Sequence, residues 1–235
     1  SMLVFLKLHL SRIAMPLLID AHANDQVLKF VLHQYLFDLK YLENLKKWND
    51  SINLTAIKND RGIVLNHFID SISVTPFIED GKKLLDIGSG GGFPGIPIKI
   101  IRSGLNVTLL DSVNKKVSFM NDTIRKLSLH DINAVWGRAE DLNNQVPRGS
   151  FDYVVTRAVG SVVDTAILSS QYVSENGVIV LMRGKKGIQE WNEAKDEIGA
   201  SFDLLDFKEF KLPEGGLIRT IFIVRPKQLS QGQIS

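Results

Sequence analysis

The chain has 235 residues, 44% hydrophobic and 23% charged, with a formal net charge of +2. That balance is ordinary for a globular α/β protein, and it leaves any nucleic-acid surface to be a local patch rather than a property of the whole chain. There is no cysteine, which excludes disulfides, thiolate metal sites and every mechanism with a cysteine nucleophile, and makes the cytoplasm the expected location.

The first segment, "MLVFLKLHLSRIAMPLLI", is apolar but interrupted by Lys7, His9 and Arg12. A membrane span needs about 20 mostly apolar residues, so this reads as an amphipathic element packed on the domain, and no membrane partner is expected. From Asp25 to Trp48, Leu28, Val31, Leu32, Tyr35, Leu39, Leu42 and Leu45 recur at helical spacing. They predict an amphipathic helix of about 22 residues, with Asn24 or Asp25 to cap it. "NDSINLTAIKND" reads as a loop, and a second helix follows over roughly residues 60–75.

After Gly81 short apolar runs alternate with helical ones. "KLLDI", "NVTLLD", "INAVWG", "FDYVVT", "GVIVLMR", "SFDLLDFKEF" and "LIRTIFIVR" read as strands. "SVNKKVSFMNDTIRKLSL", "SVVDTAILSSQYV" and "GIQEWNEAKDEIG" read as helices, with another beginning near Gly95. Such alternation implies a mostly parallel sheet covered on both faces. The last two strands are joined only by "KLPEGG", so one of them runs antiparallel. The expected division is an N-terminal helical extension over 1–80, the α/β domain over 81–226 and a polar tail over 227–235.

Four glycines lie between Gly88 and Gly92, directly after the strand that ends at Asp86 or Ile87. In an open α/β sheet this is where ligands bind. A phosphate loop needs Lys-Ser or Lys-Thr after the glycines, and none follows. A dinucleotide loop needs a third glycine where this chain has Phe93, and Pro94 and Pro97 reduce the N–H donors of the following helix. The remaining pattern is D-x-G-x-G-x-G, filled by Asp86, Gly88, Gly90 and Gly92. An acidic residue there suits a ligand with a cationic end, such as the ammonium and sulfonium of S-adenosylmethionine. Asp111 closes the next strand, where a carboxylate accepts from ribose hydroxyls.

The ordered set "NLTAI", "HFIDSI", "LLDIGSGGGFPGIPI", "LLDSVNKKVSF", "GRAEDL" and "FDYVVTRAVGSV" resembles the bacterial small-subunit ribosomal RNA methyltransferase G family, also called glucose-inhibited division protein B. The likeness runs from about Trp48 to Arg225. It implies a class I S-adenosylmethionine-dependent methyltransferase: a Rossmann-like α/β fold with a mostly parallel seven-stranded sheet and an antiparallel last strand. The implied activity is methylation of N7 of a guanine in 16S rRNA, free or in the 30S subunit, with S-adenosylhomocysteine as product. Carried across by motif, Gly88, Ser89 and Phe93 line the cofactor, Ala139 and Glu140 meet its adenine end, and Arg157 sits beside its methionine end and the incoming base. Where many relatives have lysine-glycine after the fifth strand, this chain has Arg183 and Gly184.

The chemistry is consistent with that implication. Pyrimidine C5 methylation needs the absent cysteine, and the Asn/Asp-Pro-Pro-Tyr/Phe motif of amine methylation is replaced by "TRAV". Guanine N7 carries its own lone pair and needs alignment rather than a base. Candidate RNA contacts are Lys115, Lys116, Arg183, Lys185, Lys186 and Arg219, with His67 and Asn53 as further candidates. For any single lysine, solvated surface charge is the plainer reading; for Asn53 it is turn chemistry. No histidine and carboxylate cluster has metal-ligand spacing, so no metal is expected. A monomer is expected.

Overall fold

In a computed structural model, the described residues are 25–157, 160–212 and 217–228. The first apolar segment, Asn24, the link through Pro213–Gly216 and the end of the polar tail lie outside them. Helix α1 (Asp25–Ile52) is followed by α2, a continuous run of Asp60–Ile63, the wider π-helical turns Val64–Ile69, and Asp70–Ile72. The α/β part comprises β1 (Lys83–Ile87), α3 (Gly95–Ile101), β2 (Asn106–Asp111), α4 (Asn114–Lys126), β3 (Ile132–Trp136) and β4 (Phe151–Arg157). It continues with α5 (Val162–Ser170), β5 (Val173–Arg183), α6 (Gly187–Glu193), α7 (Lys195–Ser201), β6 (Phe202–Lys211) and β7 (Ile218–Pro226).

The seven strands lie in the order β3-β2-β1-β4-β5-β7-β6. All pairs are parallel except those of β7, which runs antiparallel to both β5 and β6. Strand order reverses between β1 and β4, so the crevice for ligands opens beyond their carboxyl ends. Successive strand residues face opposite sides, and this divides them between two cores. Leu84, Val107, Leu109, Val155, Val180 and Ile221 pack with α1 to α4 on one face. Leu85, Leu110, Val154, Leu181 and Phe222 pack beneath Val162, Ala166 and Ile198 on the other.

Three predicted boundaries move. Helix α1 continues through "NDSI" and stops at Asn53, whose φ of 25° turns the chain. The helix predicted over "GIQEWNEAKDEIG" breaks at Ala194 (φ −99°, ψ 2°) into α6 and α7. Strand β5 begins at Val173, where it pairs with Phe151, rather than at Gly177. Helix α1 joins the sheet core directly: Tyr41, Leu42 and Leu45 are buried there, and Asn44 donates to Thr123 Oγ1 of α4 at 2.8 Å.

Candidate active site

The glycine loop leaves β1 as a series of left-handed turns, with φ of 73° at Gly88, 59° at Gly90 and 80° at Gly92. The glycines do different jobs. A Cβ on Gly92 would lie 2.5 Å from Ile96 and 2.6 Å from the Tyr41 hydroxyl, so that position is closed by packing. A Cβ on Gly90 would meet nothing nearer than Gly88 O at 3.9 Å, so its backbone is bare toward open space. Asp111 holds the loop from β2, accepting from Gly90 N at 2.8 Å and from Val113 N at 2.9 Å. Ser89 is buried and donates to Asp86 O at 2.9 Å.

Asp86 sits behind the loop and is fully buried. Its Oδ2 accepts from Gly95 N at 2.9 Å, which pins the start of α3, while Oδ1 has no hydrogen-bond partner among the described residues. Burial raises its pKa to about 7, against the Gly95 hydrogen bond that favours the charged form.

An open cleft of about 360 Å³ lies against this loop. Gly88, Ser89, Gly90, Gly91 and Phe93 line one side; Asn66, His67, Asp70, Arg157, Arg219 and Gly184 line the others. Asp70 is the anchor. It is 1% exposed, and its Oδ1 accepts from Arg219 Nε at 2.8 Å while Oδ2 pairs with Arg157 Nη1 at 3.3 Å. Arg157 Nη1 also donates to Asn66 O at 3.0 Å, and Nη2 reaches His67 Nδ1 at 3.2 Å. Asn66 and His67 lie in the π-helical turns, a distortion frequent at functional sites.

Arginine only donates, so His67 Nδ1 is the acceptor and Nε2 carries the proton. Nε2–H then donates to Thr55 Oγ1 at 2.7 Å. Burial first, and then the charge of Arg157, lower the His67 pKa to about 4, so the ring is neutral at physiological pH. It stacks on Phe93 at 4.8 Å, and the Arg157 guanidinium carbon lies 5.4 Å from the centre of the Phe93 ring. Phe93 thus packs with Tyr41 and Phe68 while one edge lines the cleft.

The other predicted residues stand differently toward this cleft. Arg183, expected on the RNA edge, borders it but is 6% exposed; it donates to Gly160 O at 2.8 Å, Ser161 O at 2.9 Å and Thr165 Oγ1 at 2.9 Å. It holds the start of α5 rather than offering an exposed phosphate contact. Asn53 lines a different cavity, with Asn49 and Lys58, and is a turn residue. Ala139 and Glu140 follow β3 on the far side of Asp111; Tyr172 donates to Ala139 O at 2.7 Å. A groove lined by Ser112, Trp136 and Arg138 adjoins them. Lys115, Lys185 and Lys186 are exposed and Lys116 half-buried. Sequence reasoning missed Asp70 and Thr55. Asp70 had a signal, for it lies three residues after His67 in "HFID" and so on the same helical face. Among the described residues no cluster of histidine and carboxylates could hold a metal ion, and no helix is long and apolar enough to cross a membrane.

A seven-stranded sheet of this order, with a glycine loop at the switch point and an antiparallel seventh strand, defines the class I S-adenosylmethionine-dependent methyltransferase fold. Solved structures share it: a SAM dependent methyltransferase from Aquifex aeolicus aligns with a TM-score of 0.57 at 13% identity, over 73% of this chain and 96% of its own. TYW2 of M. jannaschii, in complex with AdoMet, aligns with a TM-score of 0.54 at 14% identity, over 74% of this chain and 80% of its own. The family described as rRNA small subunit methyltransferase G matches residues 37–215. Ribosomal RNA small subunit methyltransferase G of Clostridium kluyveri is 39% identical over 77% of this chain and 78% of its own. Its namesake in Clostridium novyi is 34% identical over 90% of each chain. The chain belongs to the rRNA small subunit methyltransferase G family.

Proposed function

We propose that the protein transfers a methyl group from S-adenosylmethionine to N7 of a guanine in 16S rRNA. The observation that carries this reading is that no free general base lines the cleft among the described residues. Both His67 ring nitrogens are engaged and the ring is neutral. Both Asp70 oxygens are held by arginines, and Asp86 is fully buried. Methylation of an amine or hydroxyl has a proton to remove; N7 has none.

One feature of the site fits the cofactor: the bare backbone at Gly90 lets a ligand approach closely, while Asp86 supports the loop from behind through Gly95 N. The residues that would hold it are Gly88, Ser89, Gly90, Phe93 and Asp111, with Ala139 and Glu140 at the adenine end. When bound, the cofactor supplies an electrophilic methyl on a sulfonium, which guanine N7 accepts through its in-plane lone pair without losing a proton. Arg157 uses three of its five N–H groups within the described protein, leaving donors to orient the base at O6 or to hold a carboxylate. Arg157 and Arg219 outweigh Asp70, so this wall is net cationic, which suits a nucleotide.

The test is to incubate the protein with methyl-labelled S-adenosylmethionine and unmethylated 16S rRNA, free and in 30S particles, and identify the labelled nucleoside by mass. Label in 7-methylguanosine at one position supports the reading, and the better acceptor identifies the substrate form. Cofactor binding without label in either RNA moves the substrate to a small molecule or protein.

A further inference from the structure

We propose that His67 is a positioning residue that fixes the direction of the Arg157 guanidinium; this rests on the assignment of Arg157 to the incoming base. A long arginine side chain keeps about 2 kcal/mol of rotamer entropy when free, so a base-orienting arginine needs more than one tether. Asn66 O and Asp70 Oδ2 both hold Nη1, at 3.0 and 3.3 Å. Those two acceptors direct one arm of the planar fork; a contact to the other arm fixes where Nη2 points. The second nitrogen, Nη2, is held by His67 Nδ1 alone among the described residues, at 3.2 Å.

The ring can do this only in one form. Nδ1 must be bare, so Nε2 must carry the proton, and that proton needs an acceptor. Thr55 Oγ1 supplies it at 2.7 Å while also accepting from Ile57 N at 3.0 Å. Thr55 is itself clamped to α1: its N donates to Asn49 Oδ1 at 2.8 Å, and Asn49 Nδ2 donates to its carbonyl at 3.1 Å. A line of contacts therefore runs from Asn49 through Thr55 and His67 to Arg157. The same loop places Leu54 and Ile57 on the cleft wall. The charged groups around the ring are Arg157 from β4, Arg219 from β7 and Asp70 from its own helix. No proton moves along this line; it carries position.

The experiment compares wild type with His67→Phe, His67→Asn and His67→Gln, measuring kcat, RNA KM and cofactor Kd in the labelled-methyl assay. Phe keeps the ring stack on Phe93 but removes both hydrogen bonds. Asn places its amide near the Nδ1 position, so it restores an acceptor for Arg157; Gln places it near Nε2. The expected result is a fall in kcat of about 30–100-fold for Phe, the scale of a small misplacement of a reacting group, with cofactor Kd little changed. Asn recovers most of the turnover and Gln does not. A Phe variant with wild-type kcat overturns the proposal, and so does a folded Asn variant as slow as Phe. If the Phe variant does not fold, Thr55→Val removes the acceptor behind the ring, and an unchanged kcat there is equally fatal. The ¹⁵N shifts of His67 provide a readout independent of RNA: a neutral Nε2–H ring at pH 6 is expected, and an Nδ1–H or cationic ring refutes the proposal. Absence of 7-methylguanosine with the wild-type protein is a different failure, that of the substrate assignment.

Discussion

One wall of the cleft, from Gly88 to Gly91, is largely backbone, shaped by left-handed turns and held by Asp111. The other is mostly side chain, dominated by two arginines, a histidine and an aspartate drawn from β4, β7 and α2. The backbone wall comes from consecutive residues and gives up side chains to let a ligand approach. The side-chain wall joins residues far apart in sequence and depends on each keeping its partner. Damage to the two walls therefore differs in kind. A glycine substitution acts on space or backbone strain, while a substitution in the cluster strands a charge or frees a rotor.

The largest expected effect is in the cluster. Arg157→Ala should lower kcat by about 10²–10³-fold, the usual cost of losing one preorganised donor, and should weaken cofactor binding. Both are read in the labelled-methyl assay with equilibrium binding alongside. An Arg157→Ala protein with full turnover and full cofactor affinity would remove Arg157 from the site.

Within the glycine loop the sharpest contrast lies between Gly90, in the wall, and Gly92, packed behind it. Gly92→Ala forces a Cβ to 2.5 Å from Ile96 at a φ of 80°. Left-handed strain and overpacking together should cost about 2–5 kcal/mol of stability. Gly90→Ala has the strain without the clash, so its stability loss should stay near 1–2 kcal/mol while cofactor affinity drops. Urea unfolding and cofactor titration separate the two. Equal stability losses would mean that the space beside Gly90 is not open.

The contrast between walls also explains what the sequence could reveal. The glycine loop and its aspartates were legible because a turn motif is written in adjacent positions. The strands were legible because burial on both faces leaves near-continuous apolar runs such as "KLLDI". Asp70 and Thr55 were not recognised, because their partners are brought to them by the π-helical turns and by strands β4 and β7. Arg183 misled for the same reason. A basic residue before glycine and two lysines looks like surface charge, yet its carbonyl partners, Gly160 and Ser161, arrive from another loop. Asn53, whose plainer reading was turn chemistry, is the turn that ends α1.

Two buried groups with shifted pKa values, His67 in the side-chain wall and Asp86 behind the glycine loop, act on stability in opposite directions. His67 has a folded pKa of about 4, below the usual 6.5. Its contribution is therefore present above pH 6.5 and is lost as pH falls toward 4. Asp86 has a folded pKa of about 7, above the usual 3.8; its contribution is present below 3.8 and is lost as pH rises toward 7. Between about pH 4 and 6.5 the slopes oppose, each at most about 1.4 kcal/mol per pH unit, so these two groups nearly cancel in the wild type. Asp86→Asn should make stability rise with pH across that window relative to wild type, and His67→Gln should make it fall. Urea midpoints measured every half pH unit test this, and parallel profiles in the two variants would contradict it.

The smallest expected effect concerns which wall RNA phosphates meet. Lys185 and Lys186 directly follow Arg183 and Gly184, which line the cleft, whereas Lys115 and Lys116 begin α4, beyond Asp111. If the RNA approaches over the side-chain wall, Lys185 and Lys186 neutralise phosphates and the other pair less so. A contact to single-stranded RNA contributes about 0.7 to the slope of log affinity against log salt. The Lys185→Ala, Lys186→Ala double variant should therefore flatten that slope by about 1–1.5. It should weaken binding most at low salt and leave kcat at saturating RNA unchanged, since neither side chain orients the base. The Lys115→Ala, Lys116→Ala pair should change the slope less. The reverse order would place the RNA over the backbone wall, where it would crowd the adenine end of the cofactor site.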